Sequence, residues 1–451
     1  MSSVSQLRQL GLFDARVPRY TSYPPANHFS KDVGPDDAKS WMQAIPEGAL
    51  VSLYLHIPYC RRLCWFCACR TQGTASARPL LHYLDVLKAE LKMVAETIPQ
   101  SVQLSHIHLG GGTPTLLEPE MIDELAAELR AFRPLARGAQ VSVEIDPTEV
   151  DRARIDALVR LGMTRASIGV QDFNPAIQET IGRIQSYADT RDVVEMLRAA
   201  GVTSLNMDIL YGLPHQTTER IAESVQRVLS LAPDRVALFG YAHVPWMAKR
   251  QALIPADALP SNEDRLKLFE TAQQLFAWDG YRQIGIDHFA RPEDSLRIAQ
   301  ESGTMRRNFQ GYTEDSAPYL IGVGASAISQ YPQGYAHNAP ATAKHQVAIE
   351  AGRFSTAQGH KLTREDTIRG AMIEALMCDF EVDLERLGQA LGVPAKELHT
   401  RLKPIAMAFA QVVKLTSTRF VIRPEGHPLA RVIAKGLDPY EAEKTGHSPA
   451  I

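Results

Sequence analysis

Four of the five cysteines of this chain lie within ten residues, and that cluster constrains fold and chemistry more than any other feature. Cys60, Cys64 and Cys67 form a C-x3-C-x2-C pattern, and Cys69 follows two residues later. Thiolates are the preferred ligands of iron-sulfur clusters, and such short spacings let one loop supply three corners of a cube. The fourth iron then lacks a protein ligand and can bind an organic cofactor directly.

A zinc site and disulfide bonds are two other uses of such closely spaced cysteines. A structural zinc site closes four ligands around one ion, usually as two pairs separated by a longer insert. Disulfides need an oxidising compartment, and residues 1–20 contain no apolar segment typical of an export signal. Cys69 follows Cys67 too closely for an ordinary fourth corner, so its role stays open.

Length and charge limit the class of protein. With 451 residues, 45% of them hydrophobic, the chain can bury a large core and form two or three domains. The formal net charge of −3 argues against a surface adapted as a whole to nucleic acid. No run approaches the roughly eighteen apolar residues of a membrane span. We therefore expect a cytoplasmic protein that binds neither nucleic acid nor membrane.

Short strands alternate with helices from the cysteine cluster onward. Six strands are predicted, at 51–57, 104–109, 141–145, 166–170, 204–210 and 236–241. Helices are predicted between them at 80–98, 119–132, 189–200 and 217–231. This order favours an α/β fold with a parallel sheet, and its length suits a partial (β/α)6-type barrel. In such barrels the reactive groups gather on the loops at the carboxyl ends of the strands.

The C-terminal part changes to amphipathic helices. Three helices and a hairpin are predicted there, at 363–378, 383–391, 394–407 and 412–422. This order predicts a winged-helix-like module, and its scattered basic residues favour a lid or docking role over DNA binding. The predicted domains are an N-terminal arm, a barrel with its extension and a mainly helical C-terminal domain: 1–50, 51–360 and 361–451.

The cysteine spacing resembles that of the radical S-adenosylmethionine (SAM) enzymes, and other loops carry groups that suit SAM. The glycines of the Gly110–Thr113 loop allow close approach to the backbone. Glu144 and Asp208 can each accept hydrogen bonds from ribose hydroxyls or an ammonium group. A single acid at a strand end is as often a surface ion pair or a helix cap, but several on one barrel face favour binding.

Further motifs extend the resemblance over nearly the whole chain. Beside the cysteine pattern they lie at 18–24, 54–60, 110–115, 144–147, 169–173, 208–214, 241–243, 287–292 and 307–313. Together they resemble the oxygen-independent coproporphyrinogen III oxidase family of radical SAM enzymes. The resemblance implies oxidative decarboxylation of two propionates of coproporphyrinogen III to vinyl groups. The product would be protoporphyrinogen IX, made without oxygen by a SAM-derived 5'-deoxyadenosyl radical in haem biosynthesis.

The same resemblance implies a 4Fe-4S cluster and two SAM molecules. Cys60, Cys64 and Cys67 would hold the cluster, whereas Cys69 matches a family cysteine that is not a ligand and is a candidate catalytic residue. Four residues would contact the SAM bound to the cluster: Tyr54, Gly111, Glu144 and Ile328. Seven would surround the second SAM: Phe66, Gly112, Thr113, Gln171, Arg183, Asp208 and Ala242.

Three rival functions stay open from the residues alone: a haem-binding or haem-trafficking relative on the same barrel, a radical SAM methyltransferase, and a zinc-stabilised DNA-binding protein. Cys69 counts against the haem carrier, since such relatives generally lack it. A tetracarboxylate substrate should meet basic residues, and four arginines lie in or beside the motif-bearing loops: Arg19, Arg291, Arg306 and Arg307. The expected partners are this substrate and a one-electron donor, and the expected state is a monomer.

Overall fold

A twelve-stranded sheet forms the centre of the structure, a computed structural model that describes residues 4–440 and 450–451. Six neighbouring strands run parallel: β1 (Leu50–Ile57), β2 (Gln103–Gly111), β3 (Leu135–Ile145), β4 (Arg165–Gln171), β5 (Ser204–Tyr211) and β6 (Arg235–Gly240). These are the six predicted strands, and the predicted α/β class with a partial parallel barrel is confirmed.

Helices connect the parallel strands and cover their outer face. They are Arg78–Thr97, Pro119–Phe132, Arg152–Leu161, Pro175–Thr180, Tyr187–Ala199 and Thr218–Ser230, followed by Asn262–Trp278. The four helices predicted between strands are confirmed to within two residues at each end. The helix Arg152–Leu161 was missed because four of its ten residues are charged, which interrupts its apolar stripe.

Further strands extend the sheet beyond both ends of the parallel set. Beside β1, strand β7 (Tyr319–Val323) runs parallel to it, and three antiparallel strands follow: Ile328–Tyr331, Gly334–Asn338 and Thr356–Lys361. Beside β6 lie two short antiparallel strands, His288–Ala290 and Arg282–Ile284. Separate from the sheet are the hairpin Arg306–Asn308 with Gly311–Thr313 and the helices Ser295–Glu301 and Thr342–Glu350. The sequence did not predict these antiparallel pairs, because each strand has only three to six residues.

Apolar and polar side chains alternate along the parallel strands, so that one face of the sheet is an apolar layer and the other is a polar interior. Leu53 and Leu55 of β1 are buried in the core beneath the helices. Between them Tyr54 pairs in register with His108 of β2, which in turn pairs with Ser142 of β3. Because side chains alternate between the two faces of a sheet, residues at matching register share one face. The barrel therefore encloses a row of polar side chains.

The N-terminal and C-terminal parts share one core. Helices Arg364–Asp379, Leu384–Leu391 and Ala395–Ala408 combine with the strands Glu381–Asp383, Val413–Leu415 and Arg419–Ile422 in the order of a winged helix, and helix Ala430–Lys435 follows. The arm, which contains the helices Val4–Gln9 and Pro35–Gln43, buries apolar side chains in the same core, among them Leu12, Phe13 and Tyr20. The predicted domain limits stay predictions, and residues 1–3 and 441–449 of the terminal domains lie outside the described residues.

No helix in the described part of the chain is both long and apolar enough to cross a membrane.

Candidate active site

The loop after β1 carries the three predicted cluster ligands at the carboxyl end of the barrel. Tyr59–Cys60 pairs with Gln72–Gly73 as two short parallel strands, which closes the base of the loop. The middle of the loop docks on the chain after β4, where the Trp65 amide donates to the Ile181 carbonyl oxygen at 2.9 Å. A Cβ atom on Gly182 would lie 2.8 Å from the Trp65 ring, so a glycine is needed for this contact.

Arg183 fastens the cysteine loop to the barrel. Its guanidinium lies 3.4 Å from Sγ of Cys64 and 3.1 Å from a carboxylate oxygen of Asp146. It also donates to the Gly169 carbonyl oxygen of β4 at 2.8 Å. Burial lowers the pKa of Arg183, but Asp146 and Cys64 outweigh that effect and raise it, so the group is a cation. Arg183, which is predicted to contact the second SAM, therefore also contacts Cys64, a predicted cluster ligand.

Hydrogen bonds between Cys67 and Cys69 distinguish these two thiols. The Cys69 amide lies 3.4 Å from Sγ of Cys67. The side-chain and backbone hydrogen bonds from Cys69 lower the pKa of Cys67 to about 6, and the same pairing raises the pKa of Cys69. Burial raises the pKa of Cys60. Among Cys60, Cys67 and Cys69, the thiol of Cys67 is therefore the most readily ionised. The thiolate is the form that binds iron.

The glycine loop after β2 packs against the base of the cysteine loop. A Cβ atom on Gly112 would lie 2.4 Å from the Tyr59 carbonyl oxygen, and one on Gly111, at φ +114°, would lie 2.8 Å from the His56 ring. The Thr113 amide donates to the same Tyr59 carbonyl oxygen at 2.8 Å. The sequence suggested that these glycines allow close approach to SAM. In the structure the space of their missing side chains is filled by protein atoms, so they first serve the contact between two loops.

Glu144 of β3 points toward the same glycine loop. One carboxylate oxygen accepts from the Gly111 amide at 2.9 Å, and the other lies 3.3 Å from Nε2 of His108. The Tyr54 ring stacks on His108 with ring centroids 5.6 Å apart. Burial raises the pKa of Glu144, but these hydrogen bonds lower it below its ordinary value, so the group is a carboxylate. A fixed carboxylate suits an ammonium group or ribose hydroxyls.

Ile328 lies on the other side of β1. Tyr54 pairs in register with Gly322 of β7, and a Cβ atom on Gly322 would lie 2.8 Å from the Ile328 carbonyl oxygen. Three of the four residues predicted for the cluster-bound SAM therefore lie on the neighbouring strands β1, β2 and β3, and Ile328 begins a strand that is separated from β1 by β7.

Asp208 and Gln171 continue this arrangement on β4 and β5. Asp208 accepts from the Ser167 hydroxyl at 3.0 Å and from the Asn206 amide at 2.8 Å, and burial raises its pKa. Gln171 has φ +69°, and a Cβ atom on Gly169 would lie 3.2 Å from its side-chain nitrogen. The same position is 3.2 Å from the Arg183 guanidinium described above. Three residues predicted for the second SAM therefore lie at the ends of β4 and β5 or face them.

Gln251 joins the two remaining residues predicted for the second SAM. Its amide nitrogen donates to the carbonyl oxygens of Phe66 at 2.7 Å and Ala242 at 3.0 Å. Its amide oxygen accepts from the Val244 amide at 2.6 Å, and the residue is only 1% exposed. Sequence reasoning missed Gln251, because one glutamine in a loop gives no signal without its partners.

The residues present fit an iron-sulfur cluster. One loop offers three thiols, and two of their sulfurs lie at hydrogen-bonding distance from Arg183 and the Cys69 amide, contacts of the kind that tune such clusters. Among residues 4–440 and 450–451, no three His, Cys, Asp or Glu side chains are grouped as a single metal ion would require. A cube bound at three separate irons needs a wider set of thiolates than one ion does.

Comparison with known proteins agrees with this site. The model of the Radical SAM superfamily matches residues 54–228, which include the second half of β1, the cysteine loop and β2 to β5. A partial parallel barrel with a three-cysteine loop at its carboxyl end defines a radical SAM enzyme, and its cofactors are a 4Fe-4S cluster and SAM.

Similar proteins show which family of radical SAM enzymes this chain belongs to. The oxygen-independent coproporphyrinogen III oxidase of Paracoccus denitrificans is 57% identical over 451 residues, which is 100% of both chains. The protein of that name from Cereibacter sphaeroides strain ATCC 17023 is 53% identical over 98% of both chains. The solved structure of coproporphyrinogen III oxidase from Escherichia coli is 34% identical, with a TM-score of 0.89 over 95% of this chain and 100% of that one. The chain belongs to the oxygen-independent coproporphyrinogen III oxidase family.

Proposed function

We propose that this chain converts coproporphyrinogen III to protoporphyrinogen IX without oxygen, by oxidative decarboxylation of two propionates to vinyl groups. The observation that carries the proposal is the cysteine loop, which Arg183 holds over the polar ends of the barrel strands. End-to-end identity to enzymes of that name supports the choice of substrate. No feature of the site favours the haem carrier, the methyltransferase or the zinc-stabilised DNA-binding protein over this function.

The residues of the chain position the reactants and exclude water. When bound, the cluster and SAM supply a 5'-deoxyadenosyl radical that removes a hydrogen atom from a propionate side chain. Glu144, held by the Gly111 amide and His108, offers a fixed carboxylate to the cationic end of SAM. The Gly112 and Thr113 backbone fixes the cysteine loop in register with the strand ends. The polar row inside the barrel is covered on its outer side by the helices and the apolar core.

We further propose that two SAM molecules bind, one to the cluster and one beside it. The first would lie between β1, β2 and β3 and contact Tyr54, Gly111, Glu144 and Ile328. The second would contact Phe66, Gly112, Thr113, Gln171, Arg183, Asp208 and Ala242. The two sets share the glycine loop, which supports neighbouring sites, and Gln251 links Phe66 to Ala242.

The deciding experiment is anaerobic incubation of reconstituted protein with coproporphyrinogen III, SAM and a chemical reductant. Protoporphyrinogen and 5'-deoxyadenosine are measured in the same samples, and we expect two deoxyadenosines for each product formed. The Cys64→Ser variant is the control and should give neither. Transfer of a labelled methyl group from SAM, or a tight stoichiometric haem complex without carbon dioxide release, would contradict the proposal. The one-electron donor, the monomeric state and the cytoplasmic location stay predictions.

A further inference from the structure

Four arginines surround one recess of about 70 Å³ beside the ends of β5 and β6. They are Arg19, Arg265, Arg307 and Arg431. Arg19 comes from the N-terminal arm, Arg307 from the extension of the barrel and Arg431 from the C-terminal part, so all three parts of the chain meet at this point. The volume is several times the roughly 10–15 Å³ that one water molecule requires.

These four guanidinium groups differ from the other arginines of the barrel interior. Arg165 and Arg235 form ion pairs with Glu314 and Asp294. In contrast, no described Asp or Glu side chain forms an ion pair with any of the four recess arginines. Asp287 also lines the recess; one of its carboxylate oxygens lies 2.7 Å from Nδ1 of His288, and its charge raises the pKa of Arg19 and of Arg431, against the larger effect of burial.

Backbone carbonyls and aromatic rings take the place of acids around the recess. Arg19 donates to the Gly240 carbonyl oxygen at 2.7 Å. Arg265 donates to that of Tyr241 at 2.8 Å. Arg307 donates to the carbonyl oxygen of Arg19 at 2.6 Å, while its buried Nε has no partner among the described atoms. Such contacts orient a guanidinium but do not neutralise its charge.

The recess therefore carries an excess of positive charge. Counting side chains, four guanidinium groups and the one carboxylate, that of Asp287, leave a charge of 4 − 1 = +3. Arg265 is only 8% exposed, and burial lowers the pKa of Arg19 and lowers that of Arg431 to about 10. Arg19 lines the recess and is exposed, so an incoming anion can reach it. Cations in such surroundings are stabilised by an anion, and arginine pairs best with planar carboxylates.

We propose that this recess anchors one propionate carboxylate of the substrate, and that the anchored propionate is one that the reaction retains. The proposal rests on the proposed function, which makes the substrate a tetracarboxylate with two reacting and two retained propionates. Decarboxylation removes a negative charge from the side chain that reacts. Because cations around a carboxylate stabilise the charged reactant more than the neutral product, they would oppose that loss. The recess therefore suits a carboxylate that stays.

The recess lies close to the predicted SAM contacts. Tyr241 lines it and directly precedes Ala242, and Tyr211 lines it three residues after Asp208. A propionate held here would place the macrocycle across the ends of β5 and β6. The N-terminal arm and the C-terminal part, which supply Arg19 and Arg431, would then contact the substrate directly.

The structure also provides matched control arginines. Arg291 pairs with Asp279 at 3.4 Å, and Arg306 pairs with Glu374 at 2.9 Å. The sequence grouped both with Arg19 and Arg307 as candidates to meet the substrate. Because neither lines the recess and each is paired with an acid, we assign them no part in the anchor.

The test measures binding of two stable porphyrins to the full chain by fluorescence titration. Coproporphyrin III carries all four propionates, and protoporphyrin IX carries only the two retained ones. Arg19→Gln and Arg307→Gln should each weaken binding of both porphyrins about tenfold to hundredfold, the range for loss of a charged hydrogen bond. Arg307→Lys should recover part of the affinity, while Arg291→Gln and Arg306→Gln should bind as the unchanged protein does.

Each other outcome has a separate meaning. Weaker binding of coproporphyrin III alone would show that the recess holds a reacting propionate and would overturn the proposal. Equal affinity of the recess and control variants, in a protein that still converts coproporphyrinogen III, would overturn the anchor but leave the proposed function intact. Failure of the unchanged protein to bind coproporphyrin III and to convert the porphyrinogen would remove the proposed function itself.

The backbone of the last two residues requires one more control. A main-chain oxygen of Ile451 accepts from Arg265 at 3.1 Å, and the Ala450 carbonyl oxygen accepts from Arg431. A variant that lacks Ala450 and Ile451 should bind coproporphyrin III at least as tightly as the unchanged protein. A loss as large as that of Arg307→Gln would assign the arginines to this segment instead and would overturn the proposal.

Discussion

Replacing Gln251 with leucine should release the cysteine loop from the loop that follows β6. The glutamine side chain is the direct link between the carbonyl oxygens of Phe66 and Ala242, and it also accepts from the Val244 amide. Leucine fills a similar volume but offers no donor or acceptor. The change therefore removes three hydrogen bonds while the apolar packing around the side chain is largely kept.

The magnitude follows from those three contacts. A buried polar group that loses its partner costs about 1–3 kcal/mol; Phe66 and Ala242 are only half-buried and Val244 is buried, so about 1 kcal/mol for each is a lower bound. Three such groups cost about 3 kcal/mol of the free energy that holds the two loops together. At about 1.4 kcal/mol for each factor of ten, the ordered arrangement becomes roughly a hundredfold less favoured. The affinity for the second SAM should fall by up to that factor.

The assay is an anaerobic SAM titration of reconstituted protein that reports both stoichiometry and affinity. We expect Gln251→Leu to keep its iron and the first SAM while the second binds more weakly. Arg133→Met is the matched control, since Arg133 is 6% exposed and donates to several carbonyl oxygens at the end of β3 away from the site. SAM binding that is unchanged in Gln251→Leu, or equally weakened in both variants, would refute the reasoning.

Three further predictions concern the cluster and stability. Gly112→Ala should lose iron because its Cβ would lie 2.4 Å from a backbone oxygen, whereas Gly34→Ala, with nothing within 4 Å, should retain it in an iron assay. Cys64→Ser should abolish the cluster spectrum and Cys69→Ser should leave it, and iron loss in both would make the ligand assignment wrong. Burial lowers the pKa of His345 from 6.5 to about 4, so the unfolded chain binds a proton that the folded chain excludes between these values. The free energy of unfolding should therefore fall as the pH drops from about 6.5 to about 4, and less so in His345→Gln; equal slopes in urea titrations would contradict this.

The barrel was predictable because its strands combine two signals, an apolar run and a loop of unusual residues at its end. The antiparallel extension lacked both. Its strand Gly334–Asn338 has five residues. It pairs with Ile328–Tyr331 across a two-residue turn and with Thr356–Lys361, which follows only after the helix Thr342–Glu350. The residue pattern within one short segment does not show which strand it pairs with. It is the neighbouring strand that stabilises each of these segments.

In the candidate site, too, residues in local sequence patterns could be predicted, whereas residues that depend on tertiary contacts could not. Cys60, Cys64 and Cys67 are visible from spacing alone, and the other predicted contacts came from family motifs. Gln251 and Arg265 were missed because each is a single polar residue whose role comes from partners distant in sequence. Predicting them would require knowledge of which loops meet at the barrel end.

Opposite charges divide the barrel end into two regions, and this division bears on turnover. Glu144 and Asp208 lie where a sulfonium cofactor is expected, while four arginines surround the recess beside β5 and β6. Each decarboxylation converts a propionate into a neutral vinyl group, so the substrate loses attraction to other basic groups near the site as it reacts. An anchor that binds a retained propionate keeps its full charge pairing through both steps. The macrocycle can therefore bring its second reacting side chain into place while Arg19 and Arg431 hold the retained propionate.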